Sequence, residues 1–205
     1  MALYRKYTSK TTIFSLVVLI GLVFLLQISL PEIQDIEINS KIHINSTWAQ
    51  RCNKFLFLSY DKKIDLPYLD LKLPDTRKQI WNKLRKTLKW AYENELNNYD
   101  FFLRADDDTY YVMENLRFML LPYNPNKPYY FGARFKILPY DFYMSGGAGI
   151  ILSREALKQI AESLDNSTIC QPASEVRYHD DLHLGECVAN LGITSVDTRD
   201  NLVRL

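Results

Sequence analysis

The run Phe101-Phe102-Leu103-Arg104-Ala105-Asp106-Asp107-Asp108-Thr109-Tyr110 passes from an apolar, strand-like segment directly into three consecutive carboxylates. Acids crowded beside a buried strand repel one another and lose solvation, and a bound cation is the usual compensation. Magnesium and manganese take such oxygen ligands. An ion held this way can share its remaining positions with a diphosphate. The plainer reading is a solvated acidic turn that caps the next helix. The rest of the chain decides between them.

Composition is that of an ordinary folded protein. The 205 residues carry 25 basic and 24 acidic side chains, and 47% are apolar. That balance suggests neither a nucleic-acid binder nor a disordered tail. The length accommodates one anchor and one modest domain. Ile13 to Leu30 reads IFSLVVLIGLVFLLQISL, without a charge. It lies at the short end of the roughly 17–25 residues of a membrane-crossing helix. Arg5, Lys6 and Lys10 precede it, and Glu32, Asp35 and Glu37 follow. The basic flank stays cytoplasmic, so the carboxy-terminal part is expected in a lumen. A cleaved signal peptide would have a shorter apolar region and a small-residue cleavage site, and Ser29-Leu30-Pro31-Glu32 is a poor one. A signal anchor is expected.

Asn45-Ser46-Thr47 and Asn166-Ser167-Thr168 are acceptor triplets for N-glycosylation. Cys52, Cys170 and Cys187 all lie beyond the anchor. An oxidising lumen favours disulfides, and the odd count leaves at least one thiol free, intermolecular or lacking its partner.

Residues 31–46 read as a short stem, where the alternating Ile33, Ile36, Ile38, Ile42 and Ile44 allow a strand. Lys54 to Ser59 is an apolar run with the pattern of a buried strand. Pro67 and Pro74 punctuate a loop, and Asp75 to Asn97 has apolar residues at helical spacing. The other face of that helix is basic. Its plainer role is solvation; its sharper one brings Lys83 to bound phosphates. A strand at 101–103, a helix over 111–121, a strand at 129–132, a strand at 150–152 and a helix over 153–164 complete an α/β order. Ser153 is a good N-cap for the last helix.

Met144-Ser-Gly-Gly-Ala-Gly149 concentrates small residues between two strands. It is either a tight turn or bulge, or a place where backbone approaches a ligand closely. Its order differs from the strand, glycine loop, helix of a dinucleotide fingerprint. His179-Asp180-Asp181-Leu182-His183-Leu184-Gly185-Glu186-Cys187 is a second acidic cluster. At a helix start Asp181 is partly stabilised as an anion, as a cap or as a general base. His179 and His183 share a helical spacing, but nothing else supports zinc.

Five blocks now carry a resemblance. Thr47-Trp-Ala-Gln-Arg-Cys-Asn-Lys54, Phe102 to Tyr110, Tyr130-Phe-Gly-Ala-Arg-Phe-Lys136, Tyr143 to Gly149 and Asp181 to Cys187 occur in order over residues 47 to 200. Together they resemble the glycoprotein-N-acetylgalactosamine 3-beta-galactosyltransferases, the core 1 O-glycan synthase family. The resemblance implies a Rossmann-like GT-A fold behind an N-terminal transmembrane helix, UDP-galactose as donor and manganese as cofactor. It also implies GalNAc-Ser/Thr glycoprotein acceptors and a single-pass type II Golgi anchor; whether the domain is a monomer or a homodimer stays open. Residues 1–12 become the tail, 13–30 the anchor, 31–46 the stem and 47–205 a partial catalytic domain.

By position, Asp106 and Asp108 match the metal ligands, and Asp106, Asp107, Gly146 and Gly147 the donor side; Lys83 joins the donor side only on the sharper reading of its basic helix face. Asp181 matches the catalytic base of an inverting single displacement. Two departures stand out. The family's first strand, with a cysteine partner for Cys52, has no counterpart before Thr47; Cys170–Cys187 is then the implied disulfide. Family members also continue past Leu205 with a His metal ligand, so carboxylates alone are expected at the metal. The rival expectation is an inactive homologue that serves as a binding protein or chaperone. The retained Asp106–Asp108 and Asp181 weigh against it.

Overall fold

The computed structural model describes residues 33–58, 65–74, 76–137, 140–172, 174 and 178–199. The expected tail and anchor, 1–12 and 13–30, lie outside them. Among the described residues no helix is long and apolar enough to cross a membrane. The chain divides into two compact units, 1–39 and 40–205. Of the first, only 33–39 are described, as the opening turns of helix α1, Ile33–Ser46.

The alternating isoleucines of this stem allow a strand, and the structure has a helix instead. In its second half Lys41, Ile44 and, just beyond, Trp48 are buried at spacings of three and four, the stripe of a helix. A helix satisfies its backbone groups locally, whereas a strand needs a neighbour. A 3₁₀ turn, Trp48–Arg51, follows.

Strands β1 (Phe57–Leu58) and β2 (Tyr68–Leu69) form a small parallel pair. Helix α2 (Ile80–Glu95) is entered through a 3₁₀ turn, Arg77–Gln79. The remaining elements are β3 (Phe101–Arg104), α3 (Met113–Leu120), β4 (Tyr129–Ile137), β5 (Tyr140–Ser153), α4 (Arg154–Ser163), α5 (Asp180–Asn190) and β6 (Thr194–Ser195). The main sheet has the order β3-β5-β4-β6. β5 is antiparallel to both neighbours, and β6 runs parallel to β4. The architecture is therefore mixed α/β, with a hairpin at its centre.

Successive residues of a strand face opposite sides. Ile150 and Leu152 enter the core with Trp81 and Leu84 of α2, Leu157 and Ile160 of α4, and Leu184 of α5. Ile151 and Phe131 face the other way, against Leu120 of α3. The Cys170–Cys187 disulfide, with Cα atoms 4.7 Å apart, ties the loop after α4 to α5. Cys52 is free and half-buried, with its Sγ 4.0 Å from Met113 Sδ. Burial raises its thiol pKa, and Arg117 opposes the rise.

The expected β strand at 129–132 extends to Ile137, beyond the register shift at Gly132–Ala133, with Arg134, Phe135 and Lys136 exposed. The glycine segment is not a turn between strands but an irregular part of β5 itself. β2 and β6 are two residues each, too short for any periodicity to reveal.

Ser153 joins three elements. Its buried Oγ accepts from Ala156 N as the α4 cap, accepts from Tyr129 N and donates to Lys127 O. Ser153→Ala is expected to lower stability by about 2 kcal/mol, through the lost cap and the stranded polar groups. Urea unfolding measures it, and an unchanged midpoint would refute the cap's role.

Candidate active site

β3 leaves the sheet at Arg104, and the acidic turn follows at once. Thr109 N closes the turn on Asp106 O at 3.2 Å. Trp48 Nε1 donates to Thr109 O at 3.0 Å, so the segment after α1 holds the turn from behind. The Trp48 ring meets Tyr111 edge-on at 5.5 Å. Asp107 and Asp108 are exposed, while Asp106 is half-buried with Oδ1 3.0 Å from Arg104. Burial raises the Asp106 carboxyl above its ordinary value; Arg104 pulls it down, and Asp108 pushes it up again. A cation there would offset both the burial and the neighbouring like charge.

The glycine segment packs against this turn. β4 pairs Gly132 with Ile150 and the next residue, Ala133, with Ser145. Gly146 to Gly149 therefore bulge from the ladder. Arg104 Nη1 donates to Gly146 O at 3.0 Å, Thr109 Oγ1 to Gly147 O at 3.0 Å, and the Tyr111 hydroxyl to Ala148 O at 2.5 Å. Burial holds the Tyr111 phenol up at about 12, against the pull of Arg104, so it stays a donor. Two glycines are demanded by this closeness. Gly149 has φ +79°, and a Cβ there would sit 1.9 Å from the Tyr111 oxygen. A Cβ on Gly146 would lie 2.6 Å from Arg104 Nη1. At Gly147 a Cβ meets nothing within 4 Å, so that backbone stands open to an approaching ligand.

α5 supplies the second pair of acids. His179 is its N-cap, and Asp180 and Asp181 open the first turn. Asp181 Oδ2 accepts from Gly146 N at 3.0 Å, and Oδ1 from Leu182 N at 2.8 Å. Asp180 is buried, and its Oδ2 lies 2.7 Å from Arg104 Nη2. Burial raises the Asp180 carboxyl, Arg104 opposes it, and Asp181 adds to the rise. The Tyr143 phenol is raised first by burial and then by the Asp181 charge, and its ring lies 6.2 Å from that of the exposed Phe135.

The structure thus gathers Asp106, Gly146, Gly147 and Asp181 into one hydrogen-bonded assembly, with Asp107 and Asp108 on its open rim. Lys83 lies on α2, flanked in sequence by the core residues Trp81 and Leu84. The sequence assigned no role to the connectors Trp48, Arg104, Thr109, Tyr111 and Asp180, although Arg104 is a charge at the end of an otherwise apolar strand and Asp180 belongs to the second acidic cluster. His179 and His183 do not pair. His179 is exposed, while His183 is buried 5.4 Å from the Trp81 ring with Nδ1 on Glu186.

Asp106 and Asp108 suit manganese or magnesium. Both offer hard oxygen, and an ion that takes its other ligands from a diphosphate needs only one or two protein carboxylates. Among the described residues no group of three or more His, Cys, Asp or Glu side chains is gathered to hold a metal by protein ligands alone. The glycosylation candidates differ in setting. Asn166 lies in an exposed turn, its Oδ1 accepting from Thr168 N and Oγ1. Asn45 is on the last turn of α1, accepting from Gln50.

Comparison with known proteins places this assembly in a family. Over 159 residues the chain is 37% identical to Glycoprotein-N-acetylgalactosamine 3-beta-galactosyltransferase 1 of Xenopus laevis, covering 78% of this chain and 43% of that protein. It is 27% identical over 156 residues to Beta-1,3-glucosyltransferase of Mus musculus, covering 73% and 30% of the two. It is 28% identical over 141 residues to Chondroitin sulfate synthase 3 of Homo sapiens, covering 64% and 15%. The chain thus spans less than half the length of each of these relatives. The first of them agrees with the resemblance carried by the five sequence blocks. The Fringe-like family model matches residues 42–201, which include the acidic turn, the glycine bulge and the start of α5, and the chain belongs to the Fringe-like family.

Proposed function

We propose that this protein is a glycosyltransferase on the GT-A plan. It moves galactose from UDP-galactose to the 3-hydroxyl of GalNAc on Ser or Thr of glycoproteins, with inversion and dependence on manganese. In this reading residues 13–30 anchor it in a Golgi membrane and the rest works in the lumen. The observation that carries the proposal is the 3.0 Å bond from Gly146 N–H to Asp181 Oδ2. It sets a carboxylate beside the bulge that the acidic turn itself holds.

Inversion needs one base and one displacement. Asp181 takes the proton of the acceptor 3-hydroxyl, and that oxygen attacks the anomeric carbon from the face opposite the leaving UDP. The Gly146 and Leu182 N–H groups each hold one oxygen of the carboxylate, Oδ2 and Oδ1, and the lone pairs left over serve the acceptor. Asp106 and Asp108 are the residues that would hold manganese, which when bound supplies Lewis-acid stabilisation of the leaving diphosphate. The open backbone at Gly147 receives the donor. Lys83 is assigned to the donor phosphates on its charge alone. The Phe135–Tyr143 pair, with Phe135 exposed and Tyr143 half-buried, gives the acceptor sugar an apolar face. Holding two substrates in one geometry supplies much of the rate.

Three results are expected from the purified chain with UDP-galactose and a GalNAc-Ser/Thr peptide. Asp181→Asn lowers kcat by about 10²–10⁴-fold while UDP affinity by calorimetry is retained. Wild-type turnover there removes Asp181 from the base role. Asp108→Asn, like chelation of the metal, abolishes manganese-dependent UDP binding and transfer, and added manganese restores only the chelated wild type. The glycines separate in a third test. Gly147→Ala keeps the melting temperature and weakens UDP-galactose binding, whereas Gly149→Ala lowers the melting temperature because its Cβ displaces the Tyr111 hydroxyl. Equal melting losses in both variants would contradict the open approach at Gly147.

A further inference from the structure

Arg104 meets three parts of the site at once. Nη2 lies 2.7 Å from Asp180 Oδ2 and 3.0 Å from Asp106 Oδ1, and Nη1 lies 3.0 Å from Gly146 O. The same glycine gives its N–H to Asp181. Gly146 is therefore held from both sides, by the guanidinium at its carbonyl and by the base at its amide. The absence of a side chain there leaves the room that the guanidinium occupies, since a Cβ would stand 2.6 Å from Nη1.

Asp180 and Asp181 are the first two residues of α5, and neighbours on a helix point about 100° apart. Holding Asp180 against Arg104 fixes the rotation of the helix start, and that rotation aims Asp181 at Gly146. A planar guanidinium can grip several oxygen acceptors in fixed directions, which a single ammonium cannot. We propose that Arg104 is the positioning residue of the base: it aims Asp181 through the Asp180 carboxylate and the Gly146 peptide, and keeps both in register with Asp106. Its kinetic consequence rests on the transfer reaction assigned above; its structural consequence does not.

The test compares Arg104→Met, Arg104→Lys and Asp180→Asn in the full chain with the wild type. The first readout uses no substrate. Hydrogen exchange at the Gly146 amide is expected to speed up in all three variants, although each still unfolds cooperatively. The second is calorimetric titration with UDP and manganese, where Asp180→Asn keeps wild-type stoichiometry and affinity. The third is transfer, where kcat falls about 10²-fold in Asp180→Asn and Arg104→Met, the scale of a base misplaced by an ångström. Arg104→Lys restores the charge but little of kcat. Unchanged Gly146 exchange in Arg104→Met and Asp180→Asn overturns the proposal whatever the activity. So does a kcat loss matched by an equal fall in UDP-binding stoichiometry, which marks a purely structural ion pair. Should Arg104→Met fail to fold, Asp180→Asn decides, because it keeps the shape of the side chain. A wild type that binds UDP without transferring galactose removes the reaction assigned above, and the exchange result then judges Arg104 alone.

Discussion

Four residues of β5, Gly146 to Gly149, have no partner on β4, and a bulge of that size leaves several peptide groups in search of hydrogen bonds. Three consecutive carbonyls find them in side chains flanking the acidic turn: Arg104, Thr109 and Tyr111. One amide finds Asp181. The need of the bulge for partners is thus what joins the end of β3, the middle of β5 and the start of α5. Removing any one connector leaves a backbone group unsatisfied, at a cost of about 1–3 kcal/mol when it is buried.

The surrounding fold keeps those three places in register. β3 is bonded along its length to the final third of β5, from Phe101↔Ser153 to Arg104↔Ile150, so the acidic turn begins directly opposite the bulge. α5 is pressed onto the sheet by Leu184 and Val188 and tied to the preceding loop through Cys187. Trp48 reaches back from the segment after α1 to hold the turn at Thr109. Rigid elements therefore set the distances among the acids, while Asp107, Asp108 and Gly147 remain open at the rim.

Charge is handled differently at the two acidic clusters. Asp180 is buried and matched by Arg104, an arrangement whose breaking would strand a charge in a dry place. The triad is only partly matched, since the same guanidinium is shared with Asp106 while Asp108 pushes the Asp106 carboxyl up. The clusters differ in exposure: Asp107 and Asp108 stand open to solvent beside Asp106, whereas Asp180 is buried; in both, burial and a neighbouring acid keep the carboxyl that Arg104 meets raised.

The sequence by itself determined the chemistry-bearing segments. The acidic triad, the glycine run, Asp181 at a helix start and the amphipathic stretch over α2 all have local signatures, because charge crowding, backbone freedom and helical periodicity are read from neighbours along the chain. Ser153 as a cap is equally local. Tertiary structure decided how they meet. β2 and β6 are too short to show a period, and the isoleucines of the stem fit a strand or a helix until Ile44 and Trp48 bury the helical stripe. The placement of Arg104 between Asp106, Asp180 and Gly146 could not be read from the chain. It depends on β5 running antiparallel to β3 and on α5 returning to the same end of the sheet, and those are contacts between residues some forty to eighty positions apart, as the separations of 42 and 76 for the Arg104 bonds record.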